Sequence, residues 1–383
     1  MLRFLTAGES HGQCLTAIIE GLPAGLMINI DQINQDLTRR QQGYGRGGRM
    51  TIEKDKAEIL SGVRFGKTLG DPITIKITNR DWENWLDRMS VMGPETGEAV
   101  TNARPGHADL TGVLKYDRED IRDILERASA RETATRVAVG AIMKQFLLAT
   151  CNMEIASHVI NIGGVKLEKK VDFSAIKNNN STDTGCVDKE TELTMKAIID
   201  KAKQAGDTLG GIFEIVVANL LPGLGSHIQW DRRLDTKLTA ALMSIPAIKG
   251  VELGEGFTYA DLPGSLAHDE IFYDTGSGYY RTTNHAGGIE GGMSNGENII
   301  VRAVMKPIPT LMTPLQSVNI KTNAAVKANT ERSDACAVPA AAVVGEAMAA
   351  IVLAETVIEK FGGDNMADLL KAIENYNLRI NRC

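Results

Sequence analysis

Aromatic side chains make up only 5% of this chain, and none is interleaved with basic residues as a platform for single-stranded nucleic acid requires. Cysteine is too sparse and scattered to form a framework. Cys14, Cys151, Cys186, Cys336 and Cys383 are odd in number and form no close pair, which argues against a disulfide scaffold and a zinc site. No uninterrupted run of about 18 apolar residues occurs, so no helix is expected to span a membrane. The opening Met1-Leu2-Arg3-Phe4-Leu5-Thr6 reaches Glu9 too soon for the apolar centre of a signal peptide. The expectation is a cytoplasmic, metal-free protein with neither nucleic acid nor membrane as a partner.

What the chain does have is apolar residues in ordinary supply, 43% of 383, with 23% charged, which fits a globular protein. Glycine is in excess, 38 residues against a typical share of about 7%, and it clusters at 43–48, 210–211, 223–225, 254–256, 276–278 and 287–296. Clustered glycine beside plentiful Val, Ile and Leu indicates loops that approach a ligand. The stretch Arg39-Arg40-Gln41-Gln42-Gly43-Tyr44-Gly45-Arg46-Gly47-Gly48-Arg49 sets four guanidinium groups among four glycines in a protein of net charge −6. Planar guanidinium forks grip phosphate or carboxylate bidentately, and glycine lets the backbone aim amides at the same guest. The expected ligand is small and multiply negative.

Two long helical patterns stand out. One runs over 117–148 with Asp117 as its N-cap; the other covers 338–361, with Pro339 in the first turn and Gly362-Gly363 ending it. Both are apolar or small around most of their circumference, so both should be buried on several sides. Shorter helices are expected over 31–41, 191–204, 231–243 and 365–376, and strands over 73–78, 211–217 and 299–304. Segment 166–190 reads as an exposed excursion. Thr-Leu-Gly precedes a strand at both 68–78 and 208–218, a weak hint of duplication. With no linker dividing the chain, the expectation is one α+β domain over 1–383, central helices covered by antiparallel sheets.

Several polar constellations could carry chemistry. Gly8-Glu9-Ser10-His11-Gly12 fits the loose G-x-S-x-G pattern of a nucleophile elbow; it also reads as a glycine-flanked turn with a satisfied histidine. His11 beside arginines suits proton donation to a leaving oxyanion. In Arg104-Pro105-Gly106-His107-Ala108-Asp109, Asp109 is placed to hold the His107 tautomer; a plain turn histidine is the other reading. Arg127 and Arg131 lie four apart in Glu126–Thr133, sharing one helical face, either salt-bridged to flanking glutamates or partly buried and in need of an anion. Thr283–Ser294 is glycine-rich without the signature of a Walker loop. Asp334, in Arg332-Ser333-Asp334-Ala335-Cys336, reads as a helix cap, and Arg332 as a phosphate ligand.

Together, Gly8–Gly12, Arg39–Arg49, Arg104–Asp109, Glu126–Thr133, His285–Gly292 and Arg332–Met348 resemble the signature segments of the chorismate synthase family, in order along nearly the whole chain. The resemblance implies a β-α-β sandwich fold assembled as a homotetramer. It implies the last step of the shikimate pathway, in which 5-enolpyruvylshikimate 3-phosphate loses phosphate and a C6 hydrogen to give chorismate, with reduced FMN required although the reaction is redox-neutral. By motif position, Arg40, Arg46, Arg49, Arg104, Arg131 and Arg332 are similar to the family's substrate-gripping arginines. His11 matches the histidine beside the leaving phosphate and Ser10 its neighbour. His107 matches the histidine near flavin N1, and Asp334 the aspartate that handles a proton near N5. Arg127, Ala128, Ser129, Pro246, Ala247, Gly291, Lys306, Pro307, Ile308, Pro309, Thr310 and Arg332 align with flavin-contacting segments. A polar residue often stands where Pro246 is, so backbone contact is the expectation there. NADPH enters only if the protein reduces its own flavin, and a length without large insertions points to supplied flavin. Three other readings are an RGG-like RNA binder, a Ser10 hydrolase and a non-catalytic FMN protein. The isolated RGG copy weighs against the first, and the joint presence of both histidines and all six arginines against the last.

Overall fold

Alternation of Ile73, Ile75 and Ile77 with Thr74, Lys76 and Thr78 gives a strand with one buried face. It pairs in register with Ile19, Ala17 and Leu15 of a neighbouring strand, so the inward-facing pairs of these two strands are all apolar. The computed structural model describes residues 1–47, 53–179, 182–276, 278–331 and 333–380. Its first sheet has the antiparallel order β1 (Arg3–Ala7), β2 (Cys14–Glu20), β4 (Ile73–Thr78), β3 (Ala57–Ile59). The second contains β5 (Glu154–Ile162), β6 (Val165–Lys166), β7 (Gly211–Ala218), β8 (Ile248–Leu253) and β9 (Ile299–Met305), in the order β8-β9-β7-β5-β6. In it, Phe213, Ile215 and Val217 of β7 face Ala303, Val301 and Ile299 of β9.

Among the described residues, the helices of seven residues or more are α1 (Ile30–Gln41), α2 (Asp109–Tyr116), α3 (Arg122–Ala128), α4 (Thr133–Cys151), α5 (Lys189–Gln204), α6 (Leu234–Met243), α7 (Val338–Phe361) and α8 (Met366–Ile380). Asn29 caps α1 and Asp188 caps α5 through side-chain oxygens. Helices α4 and α7 lie between the sheets: α4 packs on β2 and β4, and α7 on β5, β7 and α4. The result is an α+β sandwich of sheet, helices and sheet, as the sequence leads one to expect. Gly140 of α4 makes the helix contact possible, because a β-carbon there would come within 2.3 Å of the Ala347 side chain. By length and composition α7 could cross a membrane, although Glu346 and Glu355 interrupt its apolar run. Its most apolar window is 94% buried inside the protein, so its apolar character serves the core.

Two expectations need correction. The 117–148 helix is broken. Asp117 ends α2 in the left-handed region at φ 51° instead of opening a helix. Ser129 then interrupts the chain with extended backbone, φ −67° and ψ 141°, followed by a single tight turn, Ala130–Glu132. Segment 166–190 is also not simply exposed. A short helix, Phe173–Lys177, buries Ile176 against Ala156 and Val216, and Thr184 and Cys186 are fully buried.

Candidate active site

The break at Ser129 assigns neighbouring arginines to different tasks. Arg127 turns outward and donates to the Gly8 and Thr6 carbonyls and the Thr6 hydroxyl, tying α3 to β1. Arg131 turns inward and is only 4% exposed. It donates to both Asp55 oxygens at 2.6 and 2.7 Å and to Asn79 at 2.9 Å. The shared helical face expected for this pair therefore does not exist.

Arg131 lines a cavity of about 430 Å³ together with Arg40, Arg46, Arg104 and both motif histidines. Arg40, at the end of α1, donates to Thr133 at 3.0 Å, to the Ala130 carbonyl at 2.9 Å and more distantly to Asp55. Burial, helped by the nearby Arg131 and Arg46 and opposed by Asp55, pushes its guanidinium down to about 10. Crowded, desolvated cations of this kind are stabilised by an arriving anion. Arg104 grips Asp109 bidentately at 2.8 and 3.0 Å and reaches Thr310 at 3.1 Å. Asp109 is fully buried. Burial alone would raise its carboxyl, but hydrogen bonds from His107 and Arg104 hold it well below the usual range. It accepts from His107 Nδ1, the tautomer-holding role expected of it, and leaves Nε2 as the other ring nitrogen.

Asp334 is not a helix cap. It accepts from the Gly47 amide at 2.6 Å and pairs with Arg46 at 2.9 Å, while α7 begins at Ala337 without a side-chain cap. Asp334 thus fastens Arg46 and Gly47 at the cavity wall. His11 and Ser10, following β1, also line the cavity, and Ser10 is 2% exposed. The His11 imidazole stacks on Trp85 with ring centroids 4.0 Å apart.

The remaining wall is apolar, built from Leu125, Ala128, Ile245, Met305, Ala341 and Val344. Ser129, Pro246, Ala247, Lys306, Ile308, Pro309 and Thr310 also line the cavity. Ala247 sits in the left-handed region at φ 69° and its carbonyl accepts from the Lys306 amide at 2.9 Å. Lys306 donates to the Gly106 carbonyl; burial and then nearby Lys249 hold its ammonium below the ordinary value.

Of the residues singled out from sequence, Ser10, His11, Arg40, Arg46, Arg104, His107, Ala128, Ser129, Arg131, Pro246, Ala247, Lys306, Ile308, Pro309, Thr310 and Asp334 all line this one cavity. Arg127, Gly291 and Pro307 do not. Gly291 follows the short strand Ile289–Glu290, and its neighbouring glycines pack against the backbone of other segments, among them Gly254, Asn298 and Ser226. A β-carbon at Gly287 would come within 2.4 Å of the Gly254 amide nitrogen, so backbone, not ligand, requires that glycine. His285 pairs with Glu255. Arg49 and Arg332 lie outside the described residues. Among the described residues no group of His, Cys, Asp and Glu is arranged to hold a metal ion.

Sequence reasoning missed the carboxylates behind the arginines and the support of His11. Glu53 and Asp55 are 1% and 4% exposed, and nothing in their surroundings in sequence announces this. Glu126 was visible only as a charge flanking Arg127, although the Arg122/Glu126 spacing of four does suit a helical ion pair.

A pocket with four guanidinium groups, two imidazoles and an apolar wall suits an enzyme that takes a small anionic molecule. The comparisons agree on which enzyme family. The chorismate synthase family model matches residues 2–358. The chain is 58% identical to chorismate synthase of Sulfurihydrogenibium sp. and 56% identical to that of Geobacter sulfurreducens, covering 98% of both chains in each case. It is 55% identical to that of Aquifex aeolicus, over 98% of this chain and 97% of the other. A crystal structure of chorismate synthase superimposes with a TM-score of 0.81 at 45% identity, covering 100% of this chain and 99% of that one. The chain belongs to the chorismate synthase family, and the protein is a carbon–oxygen lyase.

Proposed function

We propose that the protein converts 5-enolpyruvylshikimate 3-phosphate to chorismate by anti 1,4-elimination, breaking the C3–O bond to phosphate and removing hydrogen from C6. The observation that carries this reading is the convergence of Arg40, Arg46, Arg104 and Arg131, drawn from separate parts of the chain, on one cavity with His11 and His107. A substrate bearing a phosphate and two carboxylates needs that many fixed cations. Arg49 and Arg332 complete the set by sequence position.

The apolar wall suits the face of a flavin ring, with Ala128, Ser129, Pro246, Ala247 and the run Lys306–Thr310 against it. Reduced FMN held there would supply electron density to the elimination without net oxidation. His11 donates a proton to the departing phosphate oxygen, while the guanidinium groups stabilise charge accumulating there. Preplaced donors of this kind are each worth about 3–4 kcal/mol. His107, fixed by Asp109, would hold a proton beside a bound flavin, and Asp334 would handle a second proton at the same cavity. Arg127, Gly291 and Pro307 lie outside the cavity of a single chain, so a flavin role for them needs a larger ligand reach or a neighbouring subunit. The family resemblance further implies one domain over 1–383, a cytoplasmic homotetramer, and NADPH only for flavin reduction.

The test is anaerobic: protein, photoreduced FMN and substrate are mixed, and phosphate release and chorismate are followed. Release of both in equal amount is expected; no product with reduced flavin present would refute the reading. Repeating the assay aerobically with NADPH and oxidised FMN decides whether the protein reduces its own flavin, and light scattering tests the tetramer.

A further inference from the structure

His11 is held in a way that decides which of its nitrogens can work. Its backbone N–H donates to Glu126 Oε2 at 2.8 Å, and its Nδ1 lies 3.0 Å from both oxygens of the same carboxylate. The Glu126 carbonyl accepts from the Ser10 amide at 3.0 Å, so α3 fixes two consecutive residues of this turn. Glu126 is 3% exposed and is itself clamped by Arg122, four residues earlier, at 2.8 Å. Trp85 fills the space between the groups: the His11 ring stacks on it at 4.0 Å, and the Arg122 guanidinium lies 4.9 Å from its centre. The Trp85 indole N–H in turn donates to Asp81 at 3.1 Å.

We infer that Glu126 is the positioning residue of the elimination. It accepts the Nδ1 proton of His11 and so presents Nε2–H to the cavity, with Trp85 limiting rotation of the ring and Arg122 limiting movement of the carboxylate. This rests on the reading of His11 as the proton donor to departing phosphate. Without Glu126, the cationic surroundings disfavour an imidazolium and nothing selects the nitrogen that faces the substrate. A carboxylate behind the imidazole offsets the cations and keeps a proton available. Among the described residues, the charged groups facing the His11–Glu126 pair include Arg122, Glu331 paired with Arg122 at 3.6 Å, Asp81 behind Trp85, Glu9 in the same turn and the cavity arginines, while Asp123 and Arg127 of the same helix bind Arg118 and the β1 backbone instead.

Trp85 allows a test that does not depend on turnover, because a protonated imidazole quenches a stacked indole. The chain has three tryptophans, so Trp82→Phe with Trp230→Phe leaves Trp85 as the sole reporter. In that background the fluorescence should titrate with His11, and His11→Ala should abolish the transition. Glu126→Gln is expected to lower the midpoint by at least about one pH unit. It should also reduce kcat by about 10–100-fold, the usual cost of losing a group that orients a histidine, with little change in KM. Glu126→Asp, which keeps the charge, should restore the midpoint and part of kcat. An unchanged midpoint and unchanged kcat in Glu126→Gln would overturn the inference. If that variant does not fold, Glu126→Ala takes its place, and an unchanged midpoint and unchanged kcat there would overturn the inference equally. Full turnover in His11→Ala would remove the proton-donor reading instead, and the Trp85 midpoint would then decide the positioning of His11 alone.

Discussion

Glu346 projects from the middle of the central helix α7 and is completely buried. Its two oxygens accept from Arg39 at 2.7 and 2.9 Å, from Ser157 at 2.7 Å, and from Lys144. Asp36 bridges the same two cations from the other side. Arg39 and Lys144 together hold the Glu346 carboxyl far below the ordinary range, against the effect of burial. Glu346→Gln keeps the shape but removes the charge and turns an amide N–H₂ toward a cation. Breaking a buried pair by removing one partner costs about 3–5 kcal/mol. The Arg39 side chain is 34% exposed and can rehydrate, so the lower end, about 3 kcal/mol, is expected. Urea unfolding followed by circular dichroism measures it. The double variant Glu346→Gln/Lys144→Met should lose less than the sum of the single variants, because the stranded cation is gone. Arg40, next to Arg39 on α1, has its own anchors at Thr133, Ala130 and Asp55, so substrate affinity should stay near that of the parent. A stability loss under about 1 kcal/mol, the size of an exposed pair, would refute this account of the core.

Three other outcomes follow from the same geometry. His11→Ala should retain substrate and flavin binding while turnover falls by roughly 10²–10⁴-fold, measured by anaerobic chorismate formation; wild-type turnover would exclude His11. Gly140→Val should destabilise by about 1–3 kcal/mol or more through overpacking against the α7 backbone, whereas Gly264→Ala, where a β-carbon would meet nothing within 4 Å, should be nearly neutral in a thermal melt. Asp109, Glu126 and Glu346 all have carboxyls lowered in the folded state. Their contribution is therefore present above the unfolded carboxylate value of about 4 and is lost as pH falls below it toward the folded values. The urea midpoint should hold steady from about pH 7 to pH 5 and decline below about pH 4; a midpoint rising on acidification would contradict the assigned pairing.

Much of this fold is legible along the chain because burial imposes a period. The Ile73/Ile75/Ile77 alternation specifies a strand, and the all-round apolar surface of 338–361 specifies a helix enclosed on every side. The break at Ser129 was not read, because helical spacing of apolar residues continues on both sides of it. A local signal was nonetheless present: Ser129-Ala130-Arg131-Glu132 fits the S-x-x-E pattern of a helix start, and the Ser129 hydroxyl does accept from the Arg131 amide. The site's cations were visible as an arginine-rich loop and as motif residues. Their counterions were not, since Asp55 meets Arg131 across 76 residues and only the folded sheet brings them together. The glycine-rich 283–294 loop is ambiguous for a related reason: close backbone packing and ligand approach leave the same mark in sequence.

Asp55 serves Arg40 and Arg131 at once, and it stands behind both relative to the cavity. The mutual repulsion of the arginines is therefore offset during folding and need not await a ligand, and their forks keep fixed directions before any guest arrives. A guest meets a rigid frame whose attraction is already tempered from behind, so it is oriented without being held too tightly to leave. Replacing Asp55 with a neutral residue would make the pocket more positive and, at the same time, less well aimed.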